Sequence, residues 1–277
     1  MIELGKMQTL EIVKFTDFGA YLSESRDSEE KILLPIKQVP EGAGVGSKIS
    51  VFVYRDSKDR LISTVNRPYL TLGEAAKLKV NDVTSIGAFL DWGLEQDLFL
   101  SFKEQTTKVR PGQSYMVALY VDKSNRLAAT MKVYKYLTVG EGYEKDQIVK
   151  GTVYVLSDNF GAFVAVDDKY QGLFHKNEIH TKLSIGDEVE ARITAVREDG
   201  KLDLSLGKKA YLKMDEDAEA ILRVIGEFDG VLPFNDKAAP EVIEREFGMS
   251  KAAFKRAVGR LYKERKIEIG EKSIRLK

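Results

Sequence analysis

The sequence predicts a multidomain, mainly β chain, with three small five-stranded barrels in tandem followed by an α+β domain built on helices. Three observations carry this. A Gly-Ala step between bulky residues occurs three times at similar spacing. Apolar residues alternate with period two up to Lys209, and helical periodicity takes over after it.

The repeats read FTDFGAYLSE (15–24), VTSIGAFLDW (83–92) and LSDNFGAFVAV (156–166). Phe18, Ile86 and Phe160 open the motif at intervals of 68 and 74 residues, which suits a small domain. Each repeat continues to a turn containing Gly46, Gly112 or Gly186, then to an alternating strand: ISVFVY, YMVALYV or VEARITAV. A polar hairpin follows, and Arg60, Arg126 and Lys201 take the same place in it. Five short strands with polar turns favour an antiparallel Greek-key barrel over an open sheet, because closure removes exposed edges. The expected domains are 1–68, 69–140 and 147–209, joined by the short linkers NRPYLTLGEA and KYLTVGEGYEKD.

Side-chain alternation in the third repeat puts Ala162, Val164 and Val166 on the core side, and Phe163 and Ala165 on the other. Phe160, next to Gly161 at a bend or bulge, is brought alongside Phe163. Outward rings imply a cover: another domain or a ligand. Alternation alone leaves both open.

The last domain is expected over 210–277. DEDAEAILRVIGEFDG puts Ala218, Ile221, Leu222 and Ile225 on one helical face, and APEVIEREFG starts a second helix at Pro240 and stops it at Gly248. Ser250 caps a third helix, SKAAFKRAVGRLYKERK, and IEIGEKSIRL closes the chain as a hairpin. Phe254, Ala257, Val258 and Leu261 share one face of the third helix. Lys251, Lys255, Arg256, Arg260, Lys263 and Lys266 occupy the other, with the small residues Ala252 and Gly259 among them. Residues 211–248 hold 4 basic and 10 acidic side chains, and 249–277 hold 10 basic and 3 acidic, so charge separates along the domain.

Overall, 43 basic residues balance 43 acidic ones in 277, and the three repeats are each close to neutral, so bulk charge selects no partner. With no cysteine, disulfides and thiolate metal sites are impossible. His175 and His180, five apart on a loop, fit incidental histidines better than metal ligands. The N-terminus lacks an apolar leader and no stretch is long enough to span a membrane, so a cytoplasmic protein without a membrane partner is expected. No phosphate-cradling loop, nucleophile elbow or metal-ligand cluster is present, and we expect no enzyme, no cofactor and no metal.

GTVYVLSDNFGAFVAVDDKYQGLFHKNEI followed by LSIGDEVEARITAVREDGKLDLSLGKK resembles the S1 RNA-binding domain, an OB-fold, over residues 147–208; repeats one and two resemble it more weakly. The resemblance implies single-stranded RNA crossing one barrel face, its bases stacking on Phe160 and Phe163 beside His175, Arg197 and Lys201. Arg197 stands where many members carry an acid, so the acidic role is expected to be absent from this repeat. Carried over, repeat one offers Phe18, Tyr21 and Arg60 with Asp56, and Leu34 in place of the histidine. Repeat two offers Phe89 and Arg126 with Asp122, Ile86 replacing the first aromatic and Leu100 the histidine. Unpaired bases expose π-faces that stack on aromatic rings whatever the base, so RNA contact is expected in the order three, one, two.

Helices and hairpin together resemble a winged helix domain. Its basic helix face, Lys251, Lys255, Arg256, Arg260 and Lys263, is the expected nucleic-acid contact, with structured RNA or DNA as ligand. Three S1-like units followed by a winged helix resemble, as a whole, the bacterial conserved virulence factor B family. That resemblance implies non-enzymatic RNA binding and a post-transcriptional or virulence-related part in gene regulation, with the ribosome or the RNA-decay machinery as a further partner. Two other readings stay open: an adaptor docking on ribosome or RNA polymerase, and a DNA-binding transcription regulator led by the winged helix.

Overall fold

The computed structural model describes residues 1–56, 58–179, 181–206 and 210–277. His180 lies outside the described residues. The chain divides into two compact units, Met1–Leu206 and Gly207–Lys277.

The first unit begins with β1 (Met7–Thr16), β2 (Gly19–Ser23), β3 (Ile32–Pro35), β4 (Lys48–Arg55) and β5 (Leu61–Thr64), closed into a barrel in the order β1-β2-β3-β5-β4. Then come β6 (Ala75–Val83), β7 (Gly87–Asp91), β8 (Leu98–Ser101), β9 (Ser114–Val121) and β10 (Leu127–Thr130). The third set is β11 (Ile148–Ser157), β12 (Gly161–Val166), β13 (Tyr170–His175), β14 (Glu188–Val196) and β15 (Leu202–Ser205), closed in the same order as the first. In every repeat the long first strand pairs with two neighbours, β1 with β2 and β4 for example, and a register shift separates Ile12 from Lys14, Val80 from Asp82 and Val153 from Val155. A bulge there bends the strand enough to serve both partners.

Two details correct the expected barrel. Closure is not wholly antiparallel: β3 joins β5 through the parallel pair Leu33–Ile62, and β13 joins β15 over Gly172–Phe174 and Leu202–Leu204. The middle repeat forms a five-stranded sheet, β10-β9-β6-β7-β8, whose end strands lie side by side without a ladder. Each interior is filled by inward apolar residues, such as Leu10, Ile12, Leu22 and Val51 in the first and Val153, Val164, Phe174 and Leu204 in the third.

The linkers are built alike. Tyr69-Leu70-Thr71 and Tyr136-Leu137-Thr138 each bury their leucine. Leu70 joins the middle core together with Phe52 of β4, whose ring meets Trp92 edge-on at 5.7 Å. Leu137 packs with Met116, Ala118, Val133, Tyr154 and Ala165. Ala165, which alternation assigns to the outer face, is therefore fully buried beneath the second repeat. Burial also pushes the Tyr154 phenol well above its ordinary pKa, and its hydroxyl has no hydrogen-bond partner among the described residues.

The second unit runs α1 (Ala210–Glu227), β16 (Val231–Leu232), α2 (Pro240–Phe247), α3 (Lys251–Lys263), β17 (Ile267–Ile269) and β18 (Ile274–Leu276). Pro240 sits in the first turn of α2 and Gly248 ends it at φ 64°. Ser250 Oγ accepts from the Ala253 amide at 3.3 Å and caps α3. Ala218, Ile221, Ile225, Ile243, Phe254, Val258 and Leu261 form one core. The short β16, absent from the sequence reading, adds a third strand in the order β16-β18-β17. No helix among the described residues is long and apolar enough to cross a membrane.

Candidate nucleic-acid interface

The Gly-Ala step owes its glycine to a close approach. At Gly161, φ is 117° and a Cβ would stand 2.0 Å from the Phe174 carbonyl oxygen, which only glycine tolerates. The tight crossing lets the Lys176 amide donate to the Phe160 carbonyl at 3.1 Å, and the Phe160 ring is left outside. Phe160 is 62% exposed, and its ring lies 6.4 Å from that of Phe163 at 67°. Phe163 points out of its barrel but is half-buried, flanked by Tyr154 at 6.2 Å and by Tyr134 at 6.3 Å.

Beside these rings is a cavity of about 200 Å³ to which Phe160, Phe163, Arg197 and Lys201 all contribute, together with Tyr134, Gln171, Leu173 and Leu202. Four residues predicted from the sequence are thus brought together. His175 is exposed on the same face, outside the cavity lining, with Nε2 2.9 Å from Asp203 Oδ1 and 3.2 Å from Arg197 Nη2. Arg197 donates to the same carboxylate through Nη2 at 2.7 Å. Burial pushes the Asp203 carboxyl up, but hydrogen bonds from Arg197 and His175 outweigh it and hold its pKa below the ordinary value.

The hairpin position itself holds Arg197, as expected, but a carboxylate reaches it from elsewhere: Asp203 on β15, paired in parallel with Leu173. Its signal was an aspartate between the inward Leu202 and Leu204, hence facing out. Lys201 pairs with Asp199 at 2.6 Å, and that bond raises its pKa. Tyr134 was also missed.

The hairpin equivalence holds in all three repeats. Asp56 donates its amide to the Arg60 carbonyl, Asp122 to Arg126 and Arg197 to Lys201, at 2.8 to 3.0 Å. Ladder register, however, corrects the histidine assignment: Gly161 faces His175, whereas Gly19 faces Pro35 and Gly87 faces Ser101. Leu34 and Leu100 correspond to Phe174 instead and are fully buried, since alternation turns them inward.

In the first barrel Phe18 is 78% exposed, Tyr21 is half-buried and Arg60 makes a two-nitrogen contact with Asp56 Oδ2 at 2.9 and 2.6 Å. In the second repeat Ile86 is exposed and Phe89 packs on Phe99 at 5.5 Å. Arg126 turns from Asp122 to Asp59 of the first barrel at 3.0 Å, and Arg55 donates to the Asn125 carbonyl at 3.1 Å. Phe89 and Arg126 consequently line a 460 Å³ groove shared with Tyr54, Arg55 and Asp56.

On α3, Lys255, Arg256 and Lys263 are exposed and make no ion pair among the described residues, while Arg260 bonds Glu264 at 2.7 Å. Lys251 donates to the Lys237 carbonyl at 3.4 Å. A Cβ at Gly259 would touch nothing, which leaves that part of the helix open. Among the described residues no group of three or more His, Asp or Glu is placed to hold a metal ion.

Fold and site together define a protein of tandem S1 barrels ending in a winged helix. Residues 4–66 and 72–132 match the S1 domain, 142–207 the S1 RNA binding domain, and 219–276 the CvfB-like winged helix domain. The chain is 32% identical over 272 residues to "Uncharacterized protein YitL" of Bacillus subtilis, covering 95% of this chain and 90% of that protein. It is 29% identical to "Conserved virulence factor B" of Staphylococcus saprophyticus, covering 99% and 94%. A crystal structure of a multidomain protein with nucleic acid binding domains from Streptococcus pneumoniae superposes with a TM-score of 0.53 at 25% identity, covering 99% and 98% of the two chains. The chain belongs to the bacterial conserved virulence factor B family.

Proposed function

We propose that this protein is a non-enzymatic binder of single-stranded RNA, held chiefly by the third barrel, with a second nucleic-acid contact on α3. The observation that carries the reading is Phe160, an exposed ring beside Phe163 at the edge of a cavity that Arg197 and Lys201 also line. A ring left in water is unfavourable alone, and an unpaired base stacked on it removes both apolar faces from solvent, contributing about 1–3 kcal/mol.

The cations of this face are largely paired internally, Arg197 with Asp203 and Lys201 with Asp199, so counterion release supplies little of the affinity. Stacking supplies most of it, and linked sites add avidity. The first barrel, with exposed Phe18, ranks second. The second repeat ranks last, because Arg126 is engaged by the first barrel. The matching S1 RNA binding domain supports RNA as the ligand of a gene-regulatory role, and the name "Conserved virulence factor B" of a relative supports a virulence-related one.

The test is fluorescence anisotropy of labelled single-stranded RNA, single-stranded DNA and duplex DNA against the full chain and Phe160→Ala/Phe163→Ala. RNA affinity should fall at least several-fold in the double variant. Equal affinities would remove the stacking reading, a preference for duplex DNA would favour a regulator led by α3, and no binding to any of the three would favour a protein adaptor.

A further inference from the structure

We propose that Tyr134 is a base-clamping residue: delivered by the segment leaving the second repeat, its ring joins Phe160 and Phe163 in a three-walled aromatic pocket for one unpaired nucleobase. The proposal rests on the RNA reading above and extends it to a residue outside the third barrel.

Tyr134 stands perpendicular to Phe163, at 89°, while Phe160 approaches Phe163 at 67°. All three rings border the 200 Å³ cavity, with the buried Leu202 and half-buried Leu173 completing an apolar lining and the ion-paired side chains of Arg197 and Lys201 also lining it. That combination of π-faces, a small apolar recess and cations suits a planar heterocycle carried on a phosphate chain. Tyr134 is itself 47% exposed, so two solvent-facing aromatics border one cavity.

The turn that carries Tyr134, Val133–Tyr136, is fixed from both sides. Val133 and Leu137 are buried in the cluster between the second and third repeats. Gln171 Nε2 donates to the carbonyls of Tyr134 at 3.1 Å and Leu137 at 3.0 Å, and Thr138 exchanges backbone hydrogen bonds with Lys169 and Gln171. The backbone that carries the ring is therefore fixed before any ligand arrives, which lowers the ordering cost of binding. Aligned on Tyr-Leu-Thr, the first linker has Arg67 where the second has Tyr134, so no aromatic is delivered to the second repeat in this way.

The test uses the full chain and a fluorescein-labelled single-stranded oligouridylate, comparing wild type, Tyr134→Ala, Tyr134→Phe and Phe160→Ala. Tyr134→Ala should weaken binding roughly tenfold, comparably to Phe160→Ala, and Tyr134→Phe should stay within about twofold of wild type. Unchanged affinity in Tyr134→Ala with a clear loss in Phe160→Ala overturns the clamp and leaves the RNA reading standing. No binding by wild type, or no loss in Phe160→Ala, overturns both. A photo-crosslink of 4-thiouridine RNA to wild-type protein decides the matter independently of how the variants fold: an adduct on Tyr134 supports the clamp, and adducts on Phe160 or Phe163 peptides with none on Tyr134 overturn it.

Discussion

Arg197 donates to Asp203 Oδ1 across the β14–β15 hairpin, through Nη2 at 2.7 Å and Nε at 3.0 Å. In the first barrel Asp56 and Arg60 sit four residues apart in one turn; in the third, the carboxylate has moved to the following strand and is shared with His175. The third face thus keeps a neutralising acid while its basic groups remain beside the rings.

This arrangement predicts a pH dependence. The folded pKa of Asp203 is depressed below 3.8, so its contribution to stability is present above that value and is lost as pH falls through the lower folded pKa. Thermal melts of wild type and Asp203→Asn should differ near neutral pH and converge only once pH falls below the depressed folded pKa of Asp203, where both side chains are uncharged. A gap that persists in acid would assign the effect to packing.

Gly161→Ala should destabilise the third barrel. A positive φ costs a non-glycine residue about 1–3 kcal/mol, and the clash with the Phe174 carbonyl adds to it. Urea titration followed through amide signals of β12 and β13 checks this; a variant as stable as wild type would mean that the crossing relaxes freely.

The Arg126–Asp59 pair should matter little to stability. Both side chains are about half exposed, at 56% and 47%, and such pairs contribute at most about 1 kcal/mol. A double-mutant cycle of Asp59→Ala and Arg126→Ala measures it, and a larger coupling would mean that the pair orders the two hairpins.

On α3, Lys255→Ala and Arg256→Ala should leave the melting temperature unchanged, since both side chains are exposed. If they meet phosphates, each should lower the slope of log affinity against log salt by about 1. An unchanged slope would remove this face from the nucleic-acid contact.

Much of this is local and therefore legible in the chain. The Gly-Ala step recurs because a strand crossing needs glycine, and the hairpin positions of Arg60, Arg126 and Lys201 follow from turn length. Pro240, Gly248 and Ser250 mark helix ends for equally local reasons. Residues one step apart in a strand were harder: only the pairing of Gly19 with Pro35 shows that Leu34 lies inside. The two-residue β16 is too short to display a period.

The sequence alone determined the number of repeats, the change to helices after Lys209, the outward Phe160 and the basic face of α3, because each follows from neighbours along the chain. Tertiary structure decided that Asp203 reaches His175, that Ala165 is buried, that Arg126 turns to the first barrel and that Tyr134 stands against Phe163. Each of these depends on strand register or on one repeat packing against another, and such contacts join segments whose separation in sequence carries no local signal.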